Sequence, residues 1–484
     1  MQGEPPGFSR GEDVSPGVLG PRVTVAGTHS GVGKTTVATG VMAAFARRGE
    51  RVASAKVGPD FIDPGYHRLA TSRPGRNLDA FLCGDDAIVP LANRASKGAS
   101  ITIVEGVMGL FDGVGASSEA STAEVALAIR SPVILVVDAS SLAGSVAALV
   151  DGYDSFLRKT SQRFSTRSVS SSPRYSRSDP ANGLAGVVLN RVGSDNHESI
   201  LRRALEPLGI PVLGALRRDD TIEWRDRHLG LVPVVEDPVA IQRSLQRLAG
   251  LIENYLDLDA IERVANCATD VPSRDLPSIE PVTATPCPIA VIGGPAFSFN
   301  YPDNLERLKE AGAELVDVDP LVDTELPERV RGLYACGGYP EVFAKALAEN
   351  RSLLQDVQMK LNRGMPAWAE CGGLLWLAES LDDANLCGVI PARGEMTRRI
   401  TVGYRTARVL RDNPVVPRGT TIRAHELHYS KLDPPGDALA IEGFSSNDRG
   451  GWATPTLFAS YLHLHLGWDA APALRFVRAA SALS

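Results

Sequence analysis

The chain has 484 residues, 44% apolar and 22% charged, which excludes a largely disordered, fibrous or coiled-coil protein and exceeds what a single hydrophobic core organises. The formal net charge is −7, from 50 basic and 57 acidic residues, so no global basic excess points to nucleic acid. No apolar run approaches the ~20 residues of a membrane helix, and the N-terminus lacks the pattern of a secretory signal, so the expectation is a soluble, cytoplasmic protein.

Residues 1–21, rich in Gly, Pro and Ser, read as a disordered tail. A buried strand is expected over 22–26, a helix over 34–48 stopped by Gly49, and a strand over 51–57. Near-continuous apolar runs at 101–106, 132–138, 183–192 and 211–216 read as strands covered on both faces. Helical stretches alternate with them, so 22–265 is expected to be an α/β domain, a doubly wound and mostly parallel sheet. Residues 157–180 are Ser- and Arg-rich and read as a disordered insertion. It is either a tolerated surface loop or a basic arm for an anionic partner. Thr, Ser and Pro mark 266–286 as a linker. A second α/β rhythm follows over 287–484, with strands in PIAVIGG, AELVDV, GLYACGG and MPAWAE and helices over 302–311 and 341–350.

The first strand runs into Gly27-Thr28-His29-Ser30-Gly31-Val32-Gly33-Lys34-Thr35-Thr36. Such a turn aims backbone N–H groups at a polyphosphate, and the following helix adds its partial positive charge. Lys34 is expected to reach the β- and γ-phosphates of ATP and Thr35 to ligate Mg²⁺. Thr28, Gly31, Gly33 and Thr36 complete the expected nucleotide contacts. The strict pattern wants glycine where Thr28 stands, so the loop is a variant. Further metal oxygens are expected from Asp60 and Glu105, each following a strand and so at the carboxyl edge of the sheet. Asp63 and Asp112 share those two loops and are taken for substrate handling. Any of the four carboxylates could instead cap a turn or helix.

Six cysteines without a CxxC pair form neither a disulfide framework nor a structural zinc site. Cys371 stands out, between the strand 366–370 and Gly372-Gly373 at a helix start. That is the geometry of a nucleophile elbow, and a helix N-terminus lowers a thiol pKa. The base is expected from His463, with His465 on the same face if FASYLHLHL is a strand, and with His425 and His428 as competitors. Cys336 precedes another Gly-Gly turn, and Gly338 is paired with Gly372 as a candidate oxyanion hole.

The motifs GTHSGVGKTT, KVGPDFIDPGYH, NLDAF and VEGVMGLFDG, with GGYPE, AECGGL, HELHYS and FASYLHLHL, resemble the cobyrinic acid and hydrogenobyrinic acid a,c-diamide synthase family, from about residue 23 onward. The resemblance implies a P-loop amidoligase domain followed by a class I-type glutaminase domain. It implies that glutamine yields ammonia at Cys371, with His463 as base, and that ATP activates the a- and c-acetate carboxylates of a corrinoid polycarboxylate. Lys34, Thr35, Asp60 and Glu105 match ATP–Mg²⁺ positions, Asp112 a substrate loop, and Asn190 the residue that reads adenine. It also leans toward a homodimer. Triad-type glutaminases carry Glu two residues after the base, where this chain has His465, so the group that orients His463 is left open. The alternatives are another tetrapyrrole, such as nickel-sirohydrochlorin, or a P-loop regulatory ATPase with an inactive glutaminase-like domain.

Overall fold

The computed structural model describes residues 19–167, 182–218, 226–227, 230–231, 234, 238–272, 275–442 and 447–483. The first seven strands are β1 (Arg22–Gly27), β2 (Val52–Val57), β3 (Arg76–Leu78), β4 (Ile101–Glu105), β5 (Val133–Asp138), β6 (Leu184–Val192) and β7 (Val212–Arg217). They form one parallel sheet in the order β3-β2-β4-β1-β5-β6-β7. β1 and β2 are buried along their whole length, as a sheet flanked by helices on both faces requires. β1 lies between β4 and β5, so the loops after β1, β2 and β4 gather at one carboxyl edge, beside the point where strand order reverses. The expected α/β fold class holds.

The helices of this half are α1 (Lys34–Arg47), α2 (Asp63–Thr71), α3 (Ala80–Cys83), α4 (Asp85–Ser96), α5 (Thr122–Ala128), α6 (Ser145–Arg167), α7 (Asp195–Leu205), α8 (Pro238–Tyr255) and α9 (Leu258–Asn266). α8 packs on α1 closely enough that a Cβ at Gly40 would lie 2.6 Å from Ile252 Cγ1. Part of the expected insertion is helix instead, since residues 157–167 are the end of α6. Val146, Val150 and Leu157 lie on its inward face in the core, and Ser161 Oγ donates to Asn182 Oδ1 at 2.7 Å. That apolar spacing outweighs the polar composition. Residues 168–180 of the insertion and 1–18 of the expected tail lie outside the described residues.

The second half begins with β8 (Cys287–Ile292), β9 (Ala313–Val318), β10 (Gly332–Ala335) and β11 (Ala367–Glu370), with α10 (Pro302–Glu310), α11 (Ala344–Glu349), α12 (Arg351–Asn362) and α13 (Gly372–Leu377). After β12 (Ala378–Leu381) and β13 (Ala384–Asn385) comes a long antiparallel pair, β14 (Ile390–Val409) and β15 (Thr421–Asp433). A short antiparallel pair, Leu439–Glu442 and Asn447–Gly450, lies on β14, and β16 (Trp452–Thr454), β17 (Leu457–Ser460), β18 (Leu462–His463) and α14 (Ala471–Ser481) follow. One six-stranded sheet runs β9-β8-β10-β11-β17-β16. A second sheet has the main path β13-β12-β14-β15-β18. β18 pairs with β15 through His425 opposite His463, which sets the end of the second sheet against the carboxyl edge of the first. No helix among the described residues is long and apolar enough to cross a membrane.

The residues joining the halves are held at both ends. Arg22 and Arg130 donate to the carbonyls of Thr269 and Asp270, Pro277 O accepts from Arg307, and Val282 N–H donates to Ala311 O. The halves also meet directly along α10. Arg76 binds Asp303 at 2.8 Å and Glu306 at 2.6 Å, and Arg94 reaches Glu306 at 2.9 Å and also Glu310. The Asp303 side chain is fully buried, so its charge depends on these cations. The neighbouring Asn304 clamps the chain after β18, donating to Leu464 O and accepting from Leu466 N–H, both at 2.7 Å. Arg76→Ala leaves a buried carboxylate nearly unpaired. It is expected to cost about 3 kcal/mol, read as a lower urea midpoint, and an unchanged midpoint would refute the importance of the pair.

Candidate functional site

The loop 27–34 closes around its own backbone. Gly31 and Gly33 have φ of 79° and 94°, a region where L side chains are strained. A Cβ at Gly33 would lie 2.2 Å from Asn190 Nδ2, and that amide donates to Val32 O at 2.9 Å. The next residue, Arg191, donates to Gly31 O at 2.9 Å and pairs with Asp138. Tyr153 OH donates to Thr28 O. Asn190, Arg191 and Tyr153 therefore brace the loop from β6 and α6. The Asn190 amide nitrogen carries a second N–H besides the one on Val32 O, so bracing the loop does not exclude its reading a base.

Beneath the loop lies a buried charge cluster. Lys56 Nζ sits 2.7 Å from Asp63 and 2.8 Å from Glu105. Thr35 Oγ1 donates to Glu105 at 2.6 Å and reaches Asp63 at 3.4 Å. His67 Nε2 meets the other Glu105 oxygen at 2.6 Å. Burial opposes both charges of the Lys56–Glu105 pair. Asp63 and Glu105 nonetheless hold Lys56 charged, and Lys56 and His67 hold Glu105 well below the usual carboxylate range. Burial, with Asp60 and Glu105 nearby, pushes Asp63 up.

Of the expected metal oxygens, Thr35 and Glu105 meet directly. Asp60 is engaged elsewhere, because its Oδ1 accepts from Ile62 N–H at 2.6 Å and Asp63 N–H at 3.1 Å. Asp63, expected at substrate, is the carboxylate that reaches the threonine. Thr35, Glu105 and Asp63 offer hard oxygens, which fits Mg²⁺, and Lys56 Nζ lies on both carboxylates beside them. Among the described residues no group of three His, Cys, Asp or Glu forms a protein-only metal cage. An ion held here would therefore take further ligands from phosphate and water. Asp112 closes its own loop by accepting from Gly109 N–H at 2.7 Å. Lys56 and His67 were missed because both look like ordinary strand and helix residues until β2, β4 and α2 are packed together.

At the second sheet, Cys371 joins β11 to α13 with φ 45° and ψ −103°, a strained turn worth about 1–3 kcal/mol. The backbones of Gly338 and Gly372 meet so closely that a Cβ on Gly372 would lie 3.0 Å from Gly338 N. The expected lowering of the thiol pKa by the helix terminus is outweighed. Burial pushes the Cys371 thiol well up, Glu341 adds to this, and the Gly372 N–H pulls the other way. The thiol donates to Leu427 O at 3.3 Å.

His463 is fully buried, and neither ring nitrogen has a hydrogen-bond partner. Its ring covers Gly337, where a Cβ would lie 2.3 Å from Cε1. Its Nδ1 is 3.7 Å from Glu370 Oε2. Glu370 precedes the cysteine, and its oxygens accept from Leu464 N–H and Tyr334 OH. Glu370 is thus the carboxylate at the histidine, a relation that only the juxtaposition of β11 and β18 creates.

The competing histidines stand in different surroundings. Burial, with His463 and Arg405 nearby, lowers His425 to about 3. His428 bonds Glu426 and Ser430 O and stacks on Tyr461. His465 does not share a strand face with His463, because β18 stops at His463. It turns to the first half, with Nδ1 3.1 Å from Cys83 Sγ and its ring 4.5 Å from Tyr301.

Residues 23–232 match the CobQ/CobB/MinD/ParA nucleotide binding domain, and residues 288–471 match the CobB/CobQ-like glutamine amidotransferase domain. Fold and sites thus define a nucleotide-binding unit joined to a glutamine amidotransferase unit. Hydrogenobyrinate a,c-diamide synthase of Streptomyces coelicolor is 41% identical, over 94% of this chain and 97% of its own. Cobyrinate a,c-diamide synthase of Synechococcus sp. is 41% identical, over 95% and 99% respectively. Hydrogenobyrinate a,c-diamide synthase of Thermobifida fusca is 40% identical, over 97% and 98%. The chain belongs to the cobyrinate and hydrogenobyrinate a,c-diamide synthase family.

Burial and the neighbouring Lys56 lower Lys34 to about 8. A bound polyphosphate favours its charged form, so above about pH 8 binding must take up a proton and affinity must fall with rising pH. Calorimetry at about pH 9 in buffers of different ionisation enthalpy should show uptake of about one proton, abolished in Lys34→Met. No buffer dependence would refute the assignment.

Proposed function

We propose that the protein uses ATP and glutamine to convert the a- and c-acetate carboxylates of cobyrinate or hydrogenobyrinate into amides. The observation that carries this reading is an intact Cys371, His463 and Glu370 set in the same chain as a P-loop backed by Lys56, Asp63 and Glu105. The near-full-length similarity to named a,c-diamide synthases supports the substrate class.

In the second half, the Cys371 sulfur attacks the side-chain amide carbon of glutamine. The thiol proton passes to His463, and the Gly338 and Gly372 N–H groups receive the developing oxyanion. The C–N bond breaks, His463 returns the proton to the leaving nitrogen, and ammonia departs. Water then cleaves the thioester to glutamate. Glu370 positions the His463 ring and balances its charge when protonated. In the first half, the loop N–H groups and Lys34 hold the ATP phosphates. The γ-phosphoryl group moves to an acetate oxygen, giving an acyl phosphate, and ammonia displaces phosphate to form the amide. Thr35, with Glu105 and Asp63, would hold Mg²⁺, which would supply charge neutralisation at the phosphates. Lys56 keeps those carboxylates in place.

Cys371→Ala is expected to abolish glutamine-dependent amidation and leave ammonia-dependent amidation intact, as measured by mass spectrometry of the corrinoid product. Loss of both in a folded protein would sink the two-site mechanism. Glu370→Gln should lower glutaminase kcat by about 10- to 100-fold with little change in KM, and Glu370→Asp should recover part of it. An unaltered kcat would remove Glu370 from the mechanism.

A further inference from the structure

The loop of residues 58–62 that links β2 to α2 faces two ways. On the nucleotide side, Asn77 Nδ2 donates to Gly58 O and Asp60 O, both at 2.8 Å. Asp60 caps the turn, and Asp63 lies on Lys56. On the other side, Phe61 reaches into the second half. Its ring stacks on Phe299 with centroids 5.3 Å apart and meets Tyr301 at 4.5 Å and His463 at 4.7 Å. Tyr301 OH donates back to Pro59 O at 3.0 Å.

This cluster touches three working parts of the glutaminase site. His463 is one. Leu427 packs against the cluster, and its carbonyl holds the Cys371 thiol. Tyr339, next to Gly338, packs edge-on against Phe299 at 4.8 Å. Cys371 and His463 must exchange a proton, yet the thiol is parked on Leu427 O and the histidine has no partner. The resting pair is disengaged. The groups that hold it so are in contact with the loop carrying Asp60 and Asp63.

We propose that Phe61 is a positioning residue that couples the halves: filling the ATP site shifts the 58–63 loop, and Phe61 then re-seats His463 and Leu427 so that the cysteine can be deprotonated. Packed aromatic rings do not move independently of their neighbours. A ligand that binds one loop position more tightly therefore biases the site beyond it. Glutamine is then consumed only when a carboxylate and ATP await the ammonia. The inference rests on the two-site reading above.

The test uses the full chain and measures glutamate release with and without ATP, Mg²⁺ and the corrinoid polycarboxylate. In the wild type, the filled acceptor site is expected to raise release about tenfold or more. In Phe61→Leu, the two rates should converge to within about twofold, at saturating ATP and with an unchanged ATP KM. Tyr301→Phe keeps the ring and removes only the hydroxyl on Pro59 O. It should show partial loss, and it decides the matter if Phe61→Leu does not fold. Wild-type stimulation retained in both variants overturns the proposal, as does a defect that saturating ATP repairs. A wild type that forms amide from glutamine but shows no stimulation also overturns it while sparing the two-site reading. A wild type that forms no amide from glutamine removes that reading itself.

Discussion

Lys56 is an ammonium taken almost wholly out of water, and its charge is met by Asp63 and Glu105. An unpaired buried cation costs several kcal/mol, so the three side chains must arrive together or not at all. Each comes from a different element: Lys56 from β2, Glu105 from the end of β4, and Asp63 from the start of α2. Their agreement sets the spacing of the phosphate loop, because Thr35 donates to the same Glu105. It also sets the 58–62 loop, because Asp63 is that loop's far anchor. The electrostatics of one half thus reach the other through ordinary covalent geometry and one aromatic side chain.

The two sites differ in how they manage charge. The nucleotide site is dense with ion pairs and hydrogen bonds. The glutaminase site carries a neutral, buried thiol, a histidine with no hydrogen-bond partner and a strained backbone. The first arrangement stabilises a fixed shape. The second is poised, with stored strain and unmade bonds at the groups that must move.

How much was legible in the sequence follows from how local each feature is. The phosphate loop and the cysteine elbow are runs of adjacent residues, each flanked by the strand and helix it needs, and both were readable. The α/β rhythm and the positions of most strands of the first sheet along the chain were readable for the same reason. Glu370 was not, although it adjoins Cys371, because its role exists only once β18 lies beside β11. Which of Asp60 and Asp63 faces Thr35 was not readable, because both follow the same strand and only the turn geometry brings Asp63 to the threonine. Residues 157–167 were read by composition, but Leu157 and Ser161 continue the inward face of α6. The long β14–β15 pair was missed because its faces alternate irregularly between buried and exposed.

The chain between the halves, pinned to Arg22 and Arg130 at one end and to Arg307 and Ala311 at the other, bears on how separable they are. Each half presents guanidinium groups whose carbonyl acceptors belong to the joining segment. Parting the halves would strip those acceptors from buried guanidinium groups and bare Phe299, Tyr301 and the acidic face of α10 to solvent. Each half therefore carries, along this seam, a surface shaped to the other. A side chain changed at this seam in one half alters the surroundings of the other, so the joint is part of both sites' architecture.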